Sequence, residues 1–210
     1  MTIAVEKPCG RREASREKRR AAIVAIAQRH FQELGYGCTT MSGIAAELGG
    51  SKGTLWAYFA SKEELFAAVL DGWIEEFAPV REVTRGPDLR QTLVAYCTDF
   101  LTMMLSPWVT SLYRLVIAEG QRFPELGRIF YDRAPRRRYE VLAKLLDAEV
   151  RNGVIRTQDT VAAAGQLHQL CLYGAFMQNL WGLDPDRSPA RIACDAEATV
   201  ALFLDGVLVS

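Results

Sequence analysis

Residues Thr39 to Lys62 read TTMSGIAAELGGSKGTLWAYFASK, and this stretch sets the fold. Met41, Ile44, Ala45 and Leu48 recur at i, i+3, i+4 and i+7, which gives a short helix one apolar face. Gly49-Gly50 then permits backbone angles closed to other residues and ends that helix. Ser51 is a favourable N-cap for a second short helix, with Leu55 and Phe59 pointing inward. Ser61-Lys62-Glu63-Glu64 has the capping-box pattern that opens the next helix. Two short helices around a glycine turn make a helix-turn-helix, and the second shows Lys52, Gly53, Thr54, Trp56 and Ala57 on its outer face. An ordinary surface helix is rich in Glu, Lys, Gln and Arg, which are scarce here. This face offers a glycine for close approach, Thr and Tyr hydroxyls suited to phosphates, and a tryptophan that a monomeric surface seldom shows.

Outward from this stretch, the pattern is helical throughout. Residues 1–14 carry Pro8, Gly10 and charges without apolar periodicity, and are expected to be a disordered arm. A first helix runs from about Arg16 to Leu34, with Ile23, Ile26, Ala27, Phe31 and Leu34 inward, and Gly35 stops it. His30 is read as a packed or boundary residue near that face. After the helix-turn-helix, Lys62 to Phe77 places Leu65, Phe66, Val69, Leu70, Trp73 and Phe77 on a broad stripe. Such a stripe is wide enough to close a small domain on one edge and dock on a second along the other. Pro79 to Pro87 reads as a connector. Helices follow over about 89–105, 108–119, 124–132 and 135–150, then two long ones over 159–181 and 189–208. No strand-like alternation occurs, so the fold class is all-α. The expected division is a helix-turn-helix domain over 15–78 and a larger helical domain over 79–210.

The whole chain is neutral, with 25 Lys and Arg against 25 Asp and Glu, yet residues 1–62 hold ten basic and five acidic residues. A basic head on an acidic body brings one end to a polyanion. Arg16, Lys18, Arg19 and Arg20 sit where they can meet DNA phosphates beside the helix-turn-helix. Five scattered cysteines without a C-x-x-C pair, and only two histidines, point away from a zinc site or a disulfide framework. Neither a signal peptide nor a bilayer-spanning apolar run is present, so a cytoplasmic protein without membrane contact is expected. No nucleophile elbow, phosphate loop, dinucleotide fingerprint or ligand cluster suggests an enzyme or a cofactor.

Residues 16–77 resemble the DNA-binding domain of the TetR family of bacterial transcriptional regulators. The match runs through Ile23, Ala27, Phe31, Gly35-Tyr36, Thr39-Thr40, Ile44-Ala45, Gly49, Ser51-Lys52-Gly53-Thr54-Leu55, Tyr58-Phe59, Ser61-Lys62-Glu63 and Leu65. Two residues depart from the family pattern: Gly50 stands where an apolar residue is usual, and Trp56 where Tyr is usual. The segment Leu112 to Glu119, followed by Phe123-Pro124-Glu125-Leu126, resembles the ligand-sensing half of AefR-like members.

The resemblance implies a homodimer that binds a near-palindromic double-stranded operator and releases it when a small, largely apolar effector enters the helical body. It implies that Thr40 and Ser42 meet phosphate, that Lys52, Gly53 and Thr54 approach bases, that Trp56 and Tyr58 brace the backbone, and that Lys62 donates to a phosphate. Candidate effector contacts are Tyr96, Phe100, Met104, Trp108, Tyr113, His168, Cys171 and Phe176, since methionines and polar-tipped aromatics suit an adaptable apolar pocket. Arg136-Arg137-Arg138 reads as a solvated helix start or as a holder for an anion. Dimerisation is expected through the last two helices, whose apolar residues, Val161, Leu170, Val200 and Leu202 among them, lie on more than one face, with Ala164, Gly165, Ala193 and Ala196 letting the helices approach closely. The alternative is a DNA-organising or cell-division-linked protein with the same head and no small-molecule ligand.

Overall fold

The computed structural model describes residues 8–49, 52–156 and 158–208, leaving the side chains of 8–12 and 52 undescribed. Eleven helices make up this part of the chain: α1 (Pro8–Cys38), α2 (Met41–Glu47), α3 (Lys52–Trp56), α4 (Lys62–Phe77), α5 (Leu89–Met104), α6 (Pro107–Glu119), α7 (Pro124–Arg133), α8 (Pro135–Arg151), α9 (Thr160–Leu172), α10 (Ala175–Leu180) and α11 (Pro189–Val207). Outside them, the described residues contain one isolated antiparallel bridge, Ile155 to Leu208.

The expected arm is helical from Pro8 onward, and its first seven residues lie outside the described ones. Proline fits a first helical turn, and Ala14, Arg16, Glu17 and Lys18 are strong helix formers, so an exposed helix extends here without an apolar face. Leu34, expected inward, is exposed. Gly35 ends the regular helix at φ 78°, ψ 169°, a region closed to side chains. The turn swings Tyr36 back beneath α1. Phe31, Tyr36 and Phe66 then meet with ring centroids 5.4–5.6 Å apart. Each such pair adds about 0.5–1.5 kcal/mol beyond area burial.

The head closes as the caps dictate. Thr40 accepts the Gly43 amide at 3.0 Å and starts α2, while Gly49, at φ 69°, ends the turn after it. The expected contributions of Gly50 and Ser51 lie outside the described residues. Ser61 accepts the Glu64 amide, and Glu64 reaches back to the amide of Ala60 rather than Ser61. Leu55 and Phe59 are buried.

In the body, α5 lies along α11 and α8 along α9, around Leu93, Leu101, Leu146, Leu167 and Val200. The connector over 79–88 is anchored by Arg85, whose guanidinium donates twice to the buried Glu149 carboxylate, at 2.8 and 3.2 Å. The long helix expected over 159–181 is broken. Gly174 adopts φ 99°, ψ −118°, and α10 leaves at an angle to pack on α6. Asn179 donates to Thr110 at 2.8 Å, and Arg114 donates to the carbonyls of Asn179 and Leu180. These polar contacts between α6 and α10 leave no trace in apolar periodicity.

Ala164, Ala196 and Val200, expected between subunits, are buried in the chain's own core. Of the apolar residues offered by the last helices, Val161, Leu170 and Leu202 are the exposed ones, with Tyr173 and Trp181 beside them.

Candidate functional site

Two regions gather the candidate residues, the outer face of α3 and a cavity inside the body. On the first, Gly53 is exposed and Trp56 is half exposed, while Leu55 on the opposite side is fully buried. Thr40 and Ser42 are exposed at the start of α2. Lys52 lies at the start of α3, where the backbone alone is described. Thr54 and Tyr58 are partly buried. The basic residues of α1 reach the same edge, with the Arg16 guanidinium 6.0 Å from the Tyr58 ring centroid and Arg20 5.1 Å from that of Phe59. The face therefore combines a glycine approach, hydroxyls, an indole and flanking cations.

Lys62 is set differently from its neighbours. Its ammonium donates to the carbonyls of Tyr36 at 2.9 Å and Thr39 at 3.2 Å, and lies 4.2 Å from the Tyr36 ring centroid. Two of its three N–H groups thus tie the α1–α2 turn to α4, and one is left for an outside acceptor. Tyr36 in turn donates to Glu63. Burial and the nearby carboxylate of Glu63 keep the Tyr36 phenol protonated.

The cavity lies where two apolar clusters meet. One cluster holds the head together with Leu112, Leu126 and Phe130, and the other is the body core. Trp108 and Tyr113 pack against both. The walls include Ile74 and Ala78 from the α4 end, Phe100 and Met104 from α5, and Trp108, Leu112 and Tyr113 from α6. Water centres have about 40 Å³ in it, room for two or three molecules. The site is partly open and mostly apolar.

Five of the eight expected contacts line this cavity: Phe100, Met104, Trp108, Tyr113 and His168. Tyr96 stands behind them, its hydroxyl 2.6 Å from His168 Nε2. Phe176 stacks edge-on against Tyr113 at 5.0 Å. Cys171 sits deeper, against Cys97, whose thiol is pushed up by their mutual hydrogen bond and by burial. Such thiols are inert. Phe130 and Tyr139, further aromatics of the helical body, are also walls, as is Arg138 from the run read as a helix start or an anion holder; Leu172 was not expected. Arg138 belongs to a run of three arginines of which only the first two are exposed. A residue at that helical phase, one turn before the buried Leu142, faces inward, and this phase singles out Arg138 within the run.

The head and cavity share structure. Trp73 of α4 meets Trp108 edge-on at 5.4 Å. At the far end of α6, Glu119 accepts the Gly37 amide at 3.1 Å, and Phe123 meets Tyr36 at 5.1 Å. Between these joints a cleft of about 660 Å³ separates α1 from α6, so the contact is not packed solid.

Known proteins share both halves. The family described as "AefR-like transcriptional repressor, C-terminal domain" matches residues 91–206, and "Bacterial regulatory proteins, tetR family" matches 23–69. The flavonoid-responsive regulator FrrA is similar at 28% identity and a TM-score of 0.82, over 91% of this chain and 98% of that one. A TetR-family regulator of Mesorhizobium loti MAFF303099 is similar at 26% identity and a TM-score of 0.76, over 92% and 98%. The transcriptional regulator RutR of Escherichia coli K12 is 34% identical over 94 residues, 40% of this chain and 44% of that protein. The chain spans less than half the length of the curated relatives it matches. Among the described residues no single helix is long and apolar enough to cross a membrane.

Burial, together with the positive charge of Arg138, pushes His168 down to about 3 from the usual 6.5. Between those values the unfolded chain holds a proton that the folded chain lacks. Stability therefore falls as pH drops through that window. Going from about pH 7 to about pH 5 should cost about 2 kcal/mol through this residue. Urea unfolding should show a smaller loss over that range in His168→Gln, and the His168 imidazole should not titrate by NMR above about pH 5.

Proposed function

Because the chain belongs to the TetR family of bacterial transcriptional regulators, we propose that it is a ligand-responsive repressor, bound as a homodimer to a near-palindromic operator and released by a small, largely apolar effector. The observation that carries this reading is the sharing of α4. Its Leu65, Phe66 and Leu70 belong to the head core, while Ile74 lines the cavity. A ligand that enlarges the cavity pushes on the rod that positions α3. DNA affinity then changes by the difference in ligand affinity for the two arrangements, typically about 1–3 kcal/mol. That the flavonoid-responsive FrrA has this architecture supports an effector of aromatic character here.

On DNA, α3 lies in the major groove, with Gly53 admitting close backbone approach and Lys52 and Thr54 reaching base edges. Thr40, Ser42, Tyr58, the free N–H of Lys62 and the α1 arginines hold phosphates. Trp56 donates its indole N–H to a phosphate oxygen. Selecting and sequencing fragments retained by the purified protein should yield one near-palindrome with half-sites about 10 bp apart, or a multiple of it. Binding spread evenly over unrelated fragments would instead favour a DNA-organising protein. On the selected fragment Trp56→Ala should lose tenfold or more in affinity by anisotropy, whereas Trp56→Tyr keeps most of it. Equal binding by Trp56→Ala and the parent would remove the residue from the interface.

Dimerisation is assigned to the exposed apolar face of α9 and α11, where Leu170, Tyr173 and Leu202 would otherwise stay in water. Leu202 is 66% exposed and Val200 fully buried, which separates two effects. Leu202→Asp should give a folded monomer by native mass spectrometry and weaken operator binding at least tenfold. Val200→Asp should unfold the body. A Leu202→Asp variant that remains dimeric would move the interface elsewhere.

A further inference from the structure

The cavity contains a charge with no counter-charge. Sixteen residues line it, and neither Asp nor Glu is among them. Arg138 projects into it from the first turn of α8, with a guanidinium disfavoured in its charged form by burial. Among the described residues its one hydrogen-bond acceptor is the Ala78 carbonyl, and it makes no ion pair. Of the other arginines of the body that bond far off in sequence, Arg85 meets Glu149 and Arg133 meets Asp71, while the exposed Arg114 meets backbone carbonyls. A guanidinium carries five N–H donors in a planar fork suited to a carboxylate, and one carbonyl uses only part of it.

A second polar group faces the same space unsatisfied. His168 is 1% exposed and lines the cavity, and its Nδ1 has no hydrogen-bond partner. The imidazole is held by the Tyr96 hydroxyl at Nε2 and by the Phe100 ring, 4.4 Å away between centroids. When Tyr96 donates to Nε2, the neutral ring carries its proton on Nδ1 and presents a second donor. Leaving such a group buried and unmade costs about 1–3 kcal/mol, which an acceptor in the cavity would recover. Tyr113 and Tyr139 add phenols that burial keeps protonated. The polar lining is thus one cation and several neutral donors, set among flat aromatic walls.

Arg138 also borders a groove of about 570 Å³ on the outside, lined by the connector and α5. Ala78, Phe100 and Met103 border both spaces with it. The two carboxylates on that groove, Glu82 and Asp99, form no ion pair with Arg138. The guanidinium thus stands at the wall between an outer groove and an inner apolar chamber.

Resting on the ligand-responsive reading above, we infer that the effector is an organic anion: a flat apolar body carrying a carboxylate or an equivalent acid group, with the acid seated on Arg138 and His168 Nδ1 and the body between Phe100, Trp108 and Phe130. An acid of this kind pairs with the partly buried guanidinium and widens the apolar space as it enters. Its apolar part reaches toward Ile74 and Trp108, the walls shared with α4 and α6. A cationic ligand would meet Arg138 with like charge. A neutral one would leave the guanidinium unpaired.

The test uses three probes of one shape and different charge, 2-naphthoate, 2-naphthalenemethanol and 2-naphthylmethylammonium, titrated into the full-length protein by calorimetry. Naphthoate should bind at least tenfold tighter than the alcohol, and the ammonium should bind weakest. In Arg138→Met the advantage of the acid over the alcohol should vanish while the alcohol binds as before, and Arg138→Lys should restore part of it. An alcohol that binds the parent as tightly as the acid would overturn the anion assignment and leave the cavity reading standing. No heat from any probe up to millimolar concentration would overturn both. The comparison among probes on the parent protein decides the question even where an Arg138 variant fails to fold.

Discussion

One rigid rod serves two cores. Helix α4 is sixteen residues long and runs unbroken through Gly72, and the structure depends on its apolar surface being continuous. Its first turns hold Phe66 against Phe31 and Tyr36, and its last turns put Trp73 on Trp108 and Ile74 at the cavity wall. A closely packed interior has discrete arrangements rather than a soft continuum, so a change at one end of such a helix is felt at the other. The second joint, where Glu119 holds the Gly37 amide and Phe123 meets Tyr36, lies at the end of the helix that carries Trp108, Leu112 and Tyr113. Both routes from cavity to head are therefore short, and both pass through side chains packed in direct contact.

The electrostatics divide along the same line. The head gathers cations on a wet surface, where they meet polyanions without desolvation and with strong salt dependence. The body holds the partly buried guanidinium of Arg138 at a mostly apolar chamber, where pairing is worth more than on the surface. Arginine on the surface of α1 and arginine inside the cavity are thus suited to different ligands. What separates them is the dielectric around them rather than the residue type.

Much of this architecture was readable from sequence because it rests on local rules. The Ser61 cap, the glycine at 35, the α4 stripe and the proline starts of α6, α7, α8 and α11 each follow from neighbouring residues. The misses were non-local. Gly174 breaks an apolar run where Asn179 and Arg114 join α10 to α6, a contact 65 or more residues apart in sequence. Nothing in the neighbourhood of Lys62 foretells that Tyr36 and Thr39 supply carbonyls to it, a structural tie additional to the expected phosphate contact. The run Arg136-Arg137-Arg138 allows a solvated helix start or an anion holder, and only the packing of α8 shows that Arg138 alone turns inward. Ala196 and Val200 were assigned to a subunit contact because apolar residues on several faces of α11 do not say which face meets the chain's own core.

The account stands or falls on coupling between cavity and head, and a variant that fills the cavity from within tests it without knowledge of the effector. Val109 of α6 lines the cavity and is buried, and Val109→Phe places a ring in the space beside Trp108. Anisotropy on the selected operator at fixed salt should show affinity falling about 5–150-fold, the range of ordinary allosteric coupling. Circular dichroism and native mass spectrometry should show the variant still folded and dimeric. A folded dimer with parental operator affinity would contradict the account, because the cavity would then be filled without any effect on the head.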